Sequence, residues 1–331
     1  MLDLASRHEP VAALLRTELD EVGVIFERQL ASDLSAVNGL CVHIERYRGK
    51  MLRPTLVLLS GLAAAGDVPP ETVLTNRHRI LAAVVEMIHM ATLVHDDVLD
   101  EAEVRRRGAT VNHLWGNEAA VMLGDYLISN SFHLCSTIGD PSINVALGEV
   151  TNTLCEGELA QLHHRNDYGL DEQTYFEIIR RKTASLIGAC CRLGALLSND
   201  DPRIADALRR AGVALGIAFQ IQDDLLDLMG EPAVVGKTLG RDLDKGKLTL
   251  SLIRMLNDAD QRTRGEVLEL VRRADADGLA SRLSESGAVD YARSVAAGFV
   301  EDAKIDLEAL PDCPARDLFE ALADSVVARI R

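Results

Sequence analysis

Residues 80–94 form an apolar run of helical length, interrupted by Glu86 and His89. A helix that is hydrophobic on nearly every side must be covered on nearly every side, which places it in the middle of a bundle. The segment 184–197 makes the same demand. Neither run approaches the ~18–20 apolar residues of a membrane span, so the covering must come from other helices of the same chain. Composition agrees. Aromatic residues are 4% and prolines only nine, in a chain rich in Ala, Leu, Asp, Glu and Arg, which all tolerate helices. A β-sandwich calls for more Tyr, Phe, Thr and Val in short alternating runs.

Helix punctuation divides the chain. Asp140-Pro141 and Asp201-Pro202 read as N-caps followed by Pro at the first helical position. Thr75, Asn117 and Asp171 are further cap candidates. Helices are expected over 10–29, 35–47, 53–65, 76–105, 118–138, 142–165, 172–198, 203–229 and 245–257, with three more to the C-terminus. No Gly/Ser/Pro-rich linker interrupts them, so the expectation is a single all-α domain over 1–331. Six cysteines without a C-x-x-C pair read as reduced thiols. The first residues lack a basic stretch ahead of an apolar core. A cytoplasmic protein without a transmembrane segment is expected.

The net charge of −16 repels nucleic acid. Phosphate groups can be held only by a local Arg/Lys cluster or by recruited cations. Both devices are present. His95-Asp96-Asp97-Val98-Leu99-Asp100 returns as Gln222-Asp223-Asp224-Leu225-Leu226-Asp227. On a helix, Asp96 and Asp100 share a face one turn apart, as do Asp223 and Asp227. Like charges at that spacing destabilise a helix, and a chain that repeats the arrangement beside Leu93, Val94, Leu225 and Leu226 needs cations to neutralise it. Oxygen-only ligands suit Mg²⁺, which keeps waters and shares its other positions with phosphates. A solvated acidic face is the bland reading of either motif alone.

Basic residues cluster at Lys50 and Arg53, at Arg105–Arg107, at Arg180–Lys182, and at Lys237, Arg241, Lys245 and Lys247. Four clusters with two acidic helices suggest two diphosphate sites, one held through metal and one directly. Other readings are a helical metal phosphohydrolase using His89, His95, His163 and His164, a terpene cyclase, and an inactive regulatory subunit. The first leaves Asp223, Asp227 and Gly49–Pro54 without a role. A cyclase normally carries Asn, Ser and Glu in its second motif, and such subunits typically lose acidic motifs that this chain keeps.

The chain resembles the trans-type polyprenyl (isoprenyl) diphosphate synthases over about residues 49–250. The resemblance is carried by Gly49-Lys50-x-x-Arg53-Pro54, Glu86-Met87-Ile88-His89, His95-Asp96-Asp97-x-x-Asp100, Arg105-Arg106, Lys182-Thr183-Ala184, Phe219-Gln220-Ile221-x-Asp223-Asp224-x-x-Asp227 and Gly236-Lys237-x-x-Gly240-x-Asp242. Where the family commonly reads Gly-Gly-Lys-Arg-x-Arg-Pro, Arg48 and Met51 replace a glycine and the middle arginine. The resemblance implies an isoprenoid-synthase bundle around a deep cavity, typically a homodimer. It implies a prenyltransferase that condenses an allylic diphosphate with isopentenyl diphosphate. By the same resemblance Asp96, Asp100 and Asp223 hold Mg²⁺, with Asp97, Asp224 and Asp227 as water-mediated or supporting partners and Asp227 also a metal candidate. Arg105, Lys182 and Lys237 clamp the allylic diphosphate, and Thr183 and Gln220 stabilise the carbocation. Lys50, Arg53, His89 and Arg106 hold isopentenyl diphosphate. A bulky aromatic one turn before the first acidic motif gives short products in that family. Ala91 and Thr92 are small, which implies an open tunnel and a product of hexaprenyl length or longer. Geranylgeranyl diphosphate is the alternative, and Met87, Val84 or Phe132 are candidates for a deeper floor.

Overall fold

The computed structural model describes residues 8–47, 49–106, 108–229 and 240–328. Among them the chain is all-α apart from one two-stranded hairpin. Its contacts gather into two compact units, each assembled from separate stretches of chain. The first takes the residues up to Thr151, Leu186–Gly212 and Asp306–Leu322; the second takes Asn152–Ser185, Val213–Ile305 and the residues from Ala323 on.

The first unit contains α1 (Glu9–Leu30), α2 (Ser35–Ile44), α3 (Leu52–Ala65), α4 (Pro70–Val73), α5 (Asn76–Leu99), α6 (Val111–Ser136) and the start of α7 (Pro141–His163). Helix α5 is the fully covered helix expected from its sequence: Leu81, Ala82, Ala83, Val84, Val85, Met87, Ile88, Met90, Ala91 and Val94 are all 0% exposed. Thr75 begins it through a capping box with His78, whose Nε2 bonds Ser198 Oγ at 2.9 Å. Burial there pushes the His78 imidazole down to about 4.

The helix expected to run to 105 stops at Leu99. Asp100 is its C-cap, Glu101 turns to a positive φ of 48°, and the Ala102 N–H returns to the Asp97 carbonyl at 2.8 Å. Strands β1 (Val104–Arg105) and β2 (Gly108–Ala109) then pair antiparallel. Helix α6 begins at Val111 rather than 118, because Thr110 caps it and a kink at Gly116 (φ 84°) joins two helical pieces.

The second unit contains the end of α7, α8 (Glu172–Ile179), and a π-turn over Arg180–Ala184 that interrupts the expected 172–198 helix before α9 (Ser185–Leu196). It also holds the second half of α10 (Pro202–Met229), then α11 (Arg241–Asp244), α12 (Leu250–Asp258), α13 (Gln261–Arg272), α14 (Ala276–Ser286) and most of α15 (Ala288–Leu307). The last helix is α16 (Pro314–Val327). The helix expected over 245–257 is instead α11 and α12, parted by a turn with Gly246 at φ 67°. Pro141, Pro202 and the Asp171 cap each start a helix as expected. Among the described residues no helix is long and apolar enough to cross a membrane.

Candidate active site

In the first unit, α5 carries His89 and Asp96 seven residues, or two turns, apart on one face, about 10 Å along the axis. Burial holds the His89 imidazole well below its usual range, reinforced by the guanidinium charges of Arg53, Arg106 and Arg105. A neutral imidazole beside three guanidinium groups is a surface for an anion that needs no metal. Glu86, 3% exposed, supplies a negative charge that acts on Arg106. Lys50 is exposed on the turn before α3, and Arg53 lies in its first turn.

Arg105 and Arg106 come from the hairpin. The Arg105 guanidinium places both Nε and a terminal nitrogen 2.8 Å from Asp97 Oδ1, with Asp97 1% exposed. Asp97 therefore orients an arginine. Arg106 sits at a φ of 48° and donates to the Tyr47 carbonyl. Its guanidinium packs against Gly49 so closely that an added Cβ would lie 2.7 Å from Cζ.

Asp96 and Asp100 are half-buried at the C-terminal end of α5, where the helix dipole is negative and carboxylates are disfavoured. His95 turns to the Val121 carbonyl at 3.2 Å and lies 3.6 Å from Asp125, so it serves α6. Ala91 is fully buried, and the Thr92 hydroxyl donates to the His89 carbonyl at 2.7 Å.

In the second unit, a cleft of about 100 Å³ is lined by residues that include Lys182, Thr183, Gln220, Asp224, Asp242 and Lys247. Ala91 and Thr92 are not among its lining residues. The π-turn brings Lys182 and Thr183 to it; such turns interrupt helices frequently at functional sites. Gly157 of α7 permits the turn, since a Cβ there would lie 2.5 Å from the Lys182 nitrogen. Lys182 pairs with Glu158.

A hydrogen-bonded chain fixes the polar groups of the cleft. Thr183 Oγ1 donates to Gln220 Oε1 at 2.8 Å, Gln220 Nε2 donates to Asp224 Oδ1 at 2.8 Å, and the Tyr175 hydroxyl donates to Asp224 Oδ2 at 2.7 Å. Burial, then the charge of Asp242, raises Asp224 well above the usual carboxylate range. Asp223 is half-buried near the C-terminal end of α10. Asp227 is 1% exposed, and its Oδ2 accepts the Asp242 N–H at 3.0 Å. Lys237, Gly236, Arg48 and Arg107 lie outside the described residues.

Tyr175, Tyr47 and Glu158 contact these residues and stand in none of the sequence motifs. Nothing in local sequence marks them; only their contacts do. Among the described residues no three His, Cys, Asp or Glu side chains form a ready metal cage. Each unit instead carries, on its own helix, two carboxylates one turn apart, and such a pair fits Mg²⁺ held by one or two protein carboxylates together with substrate phosphates.

Comparison with known proteins gives one direction. A family model described as polyprenyl synthetase matches residues 35–283. The chain is 32% identical over 331 residues to the octaprenyl diphosphate synthase of Escherichia coli (strain K12), covering 98% of this chain and 99% of that one. It is 30% identical over 318 residues to the heptaprenyl diphosphate synthase component 2 of Bacillus subtilis (strain 168), covering 96% and 89%. A crystal structure of polyprenyl synthase from Caulobacter crescentus CB15, complexed with calcium and isoprenyl diphosphate, superposes with a TM-score of 0.90 at 31% identity, covering 98% of each chain.

Proposed function

The chain belongs to the polyprenyl synthetase family, and we propose from that premise how its residues divide the work. It is a trans-type, long-chain prenyltransferase: it condenses an allylic diphosphate with isopentenyl diphosphate, 1′-4, and extends the chain by five-carbon units. The whole chain, 1–331, is the synthase domain of this proposal. The observation that carries the division of roles is on α5. One face presents, two turns apart, a neutral histidine among arginines and a pair of carboxylates.

Isopentenyl diphosphate has no allylic activation and must keep its diphosphate, so its site needs anion donors without a metal. Lys50, Arg53, His89 and Arg106 fill that role. The allylic substrate must lose its diphosphate. Asp96, Asp100 and Asp223 would hold Mg²⁺, with Asp227 contributing through water. When bound, Mg²⁺ supplies positive charge to the departing diphosphate. Arg105, Lys182 and Lys237 add direct donors to that diphosphate. Thr183 Oγ1 directs its hydrogen bond to Gln220 Oε1, and Gln220 Oε1 keeps a second lone pair. Both oxygens then present lone pairs to a carbocation without being nucleophiles strong enough to trap it. The condensed product loses its C2 proton to the released diphosphate.

Titration calorimetry tests the division. In the presence of chelator, isopentenyl diphosphate is expected to keep its affinity while a non-reactive allylic diphosphate analogue loses about tenfold or more. Equal dependence of both ligands on Mg²⁺ would overturn it.

The same reading extends to product length. Ala91 and Thr92 stand about one turn before Asp96 and leave the tunnel open there, which gives a hexaprenyl or longer product. Ala91→Phe is expected to shorten the product to the farnesyl or geranylgeranyl level with turnover retained. An unchanged product from a folded, active variant contradicts this.

The reading includes a homodimer, supported by the exposed apolar residues Leu114, Trp115, Val121 and Met122 on α6. An unlike partner is the second reading, favoured by the relative named component 2. Sedimentation of the pure protein decides, since a monomer at micromolar concentration excludes the homodimer. All six cysteines are free and five are buried, which supports a reducing, cytoplasmic setting.

A further inference from the structure

Tyr47 is 2% exposed in a chain with few aromatic residues, and it touches both arginines of the hairpin. The Arg105 guanidinium lies 5.9 Å from its ring centroid. Its backbone carbonyl accepts a hydrogen bond from Arg106. The phenol oxygen accepts the Val111 N–H at 3.1 Å, which ties the ring to the first turn of α6. The Asp97 carboxylate, which fixes Arg105 from the other side, acts on the same phenol. Arg106 meanwhile occupies a left-handed backbone conformation, φ 48°, that an arginine does not choose unaided. Its guanidinium is confined between the Tyr47 carbonyl and Gly49.

We propose that Tyr47 is a positioning residue for anion recognition: its ring sets the guanidinium of Arg105, and its carbonyl that of Arg106, in the orientations that receive diphosphate. The inference rests on the anion-binding roles given above to those arginines. An arginine side chain loses several rotatable bonds of freedom when it is fixed, so holding the two donors in place before the ligand arrives removes part of the ordering cost of binding. The aromatic face also attracts the guanidinium more strongly where water is excluded, and Arg105 is only 25% exposed.

The test uses inorganic diphosphate with Mg²⁺ present and no prenyl substrate, so that binding at the site given to Arg105 is read without turnover. Tyr47→Leu removes the ring face and is expected to weaken diphosphate binding about five- to tenfold. Tyr47→Phe keeps the ring and removes the hydroxyl that accepts from Val111 and interacts with Asp97; it is expected to melt at a lower temperature and to bind within about twofold of the natural protein. In an Arg105→Gln background, Tyr47→Leu should add less than about twofold, because its main partner is gone. A general loosening of the fold would weaken binding by the same factor in both backgrounds, and that result overturns the proposal. So does unchanged affinity in a folded Tyr47→Leu protein. If Tyr47→Leu fails to fold, Tyr47→Phe decides, since a tenfold loss there contradicts a role for the ring. Elongation by the natural protein, assayed separately, reports on the functional reading alone.

Discussion

Asp96→Ala and Asp223→Ala are each expected to lower turnover roughly a thousandfold or more, with little change in melting temperature. The two halves of this expectation have separate causes. Each aspartate is half-buried near the C-terminal end of its helix, with other carboxylates close in sequence. Repulsion at i,i+4 and the negative end of the helix dipole both disfavour these charges, by about 0.3–1 kcal/mol each at a surface. The Arg105 charge offsets part of that repulsion at Asp96, so removing either carboxylate is expected to leave the fold close to its natural stability. What is lost is the cation that the pair would hold, and with it the charge that stabilises a departing diphosphate. Thermal melts beside steady-state turnover at saturating Mg²⁺ check both halves. Near-normal turnover in either variant contradicts the metal assignment.

The second large effect concerns Arg105. Its two nitrogens, each 2.8 Å from Oδ1, compensate the Asp97 carboxylate, which is 1% exposed. Arg105→Ala leaves that charge buried and uncompensated, at a cost of about 3–5 kcal/mol in stability. Turnover should fall as well, since the guanidinium is the proposed donor to the allylic diphosphate. The Arg105→Ala/Asp97→Asn double variant separates the two roles. Neutralising the buried carboxylate is expected to restore most of the melting temperature, while turnover stays low. A single variant as stable as the natural protein contradicts the account of the pair. A double variant that recovers turnover contradicts the role of Arg105 on the diphosphate.

The features legible in the sequence are those that local rules specify. Thr75, Asp171, Pro141 and Pro202 mark helix starts through capping chemistry, and the structure uses each of them. The all-round apolar run in α5 requires a covered helix, and it is one. Residues 100–105 are different. Asp100-Glu101-Ala102-Glu103-Val104-Arg105 contains no Gly or Pro, so nothing local ends the helix. Distant hydrogen bonds end it: Thr110 Oγ1 donates to the Ala102 carbonyl, and Asn112 Nδ2 donates to the carbonyls of Asp97 and Ala102 at 3.2 and 3.1 Å. The π-turn that presents Lys182 and Thr183 depends in the same way on Gly157, far earlier in the chain.

Spacing also identifies acidic motifs without dividing labour within them. Asp96, Asp97 and Asp100 look alike as letters. Burial and the neighbouring Arg105 make Asp97 the orienting member and leave Asp96 and Asp100 half-buried. In the second motif, Gln220 and Tyr175 engage Asp224, and the Asp242 backbone engages Asp227. Asp223 is the half-buried member. A sequence pattern can specify that a helix face is acidic; the partners that select one carboxylate from three arrive from elsewhere in the chain.

The most direct measurement of the central claim is the product of the purified protein incubated with Mg²⁺, farnesyl diphosphate and isotopically labelled isopentenyl diphosphate. Mass spectrometry of the extracted diphosphates is expected to show a series that advances by five-carbon units and accumulates at hexaprenyl length or longer. Release of phosphate without chain extension, or no reaction at all, would contradict the assignment of this protein as a chain-elongating prenyltransferase.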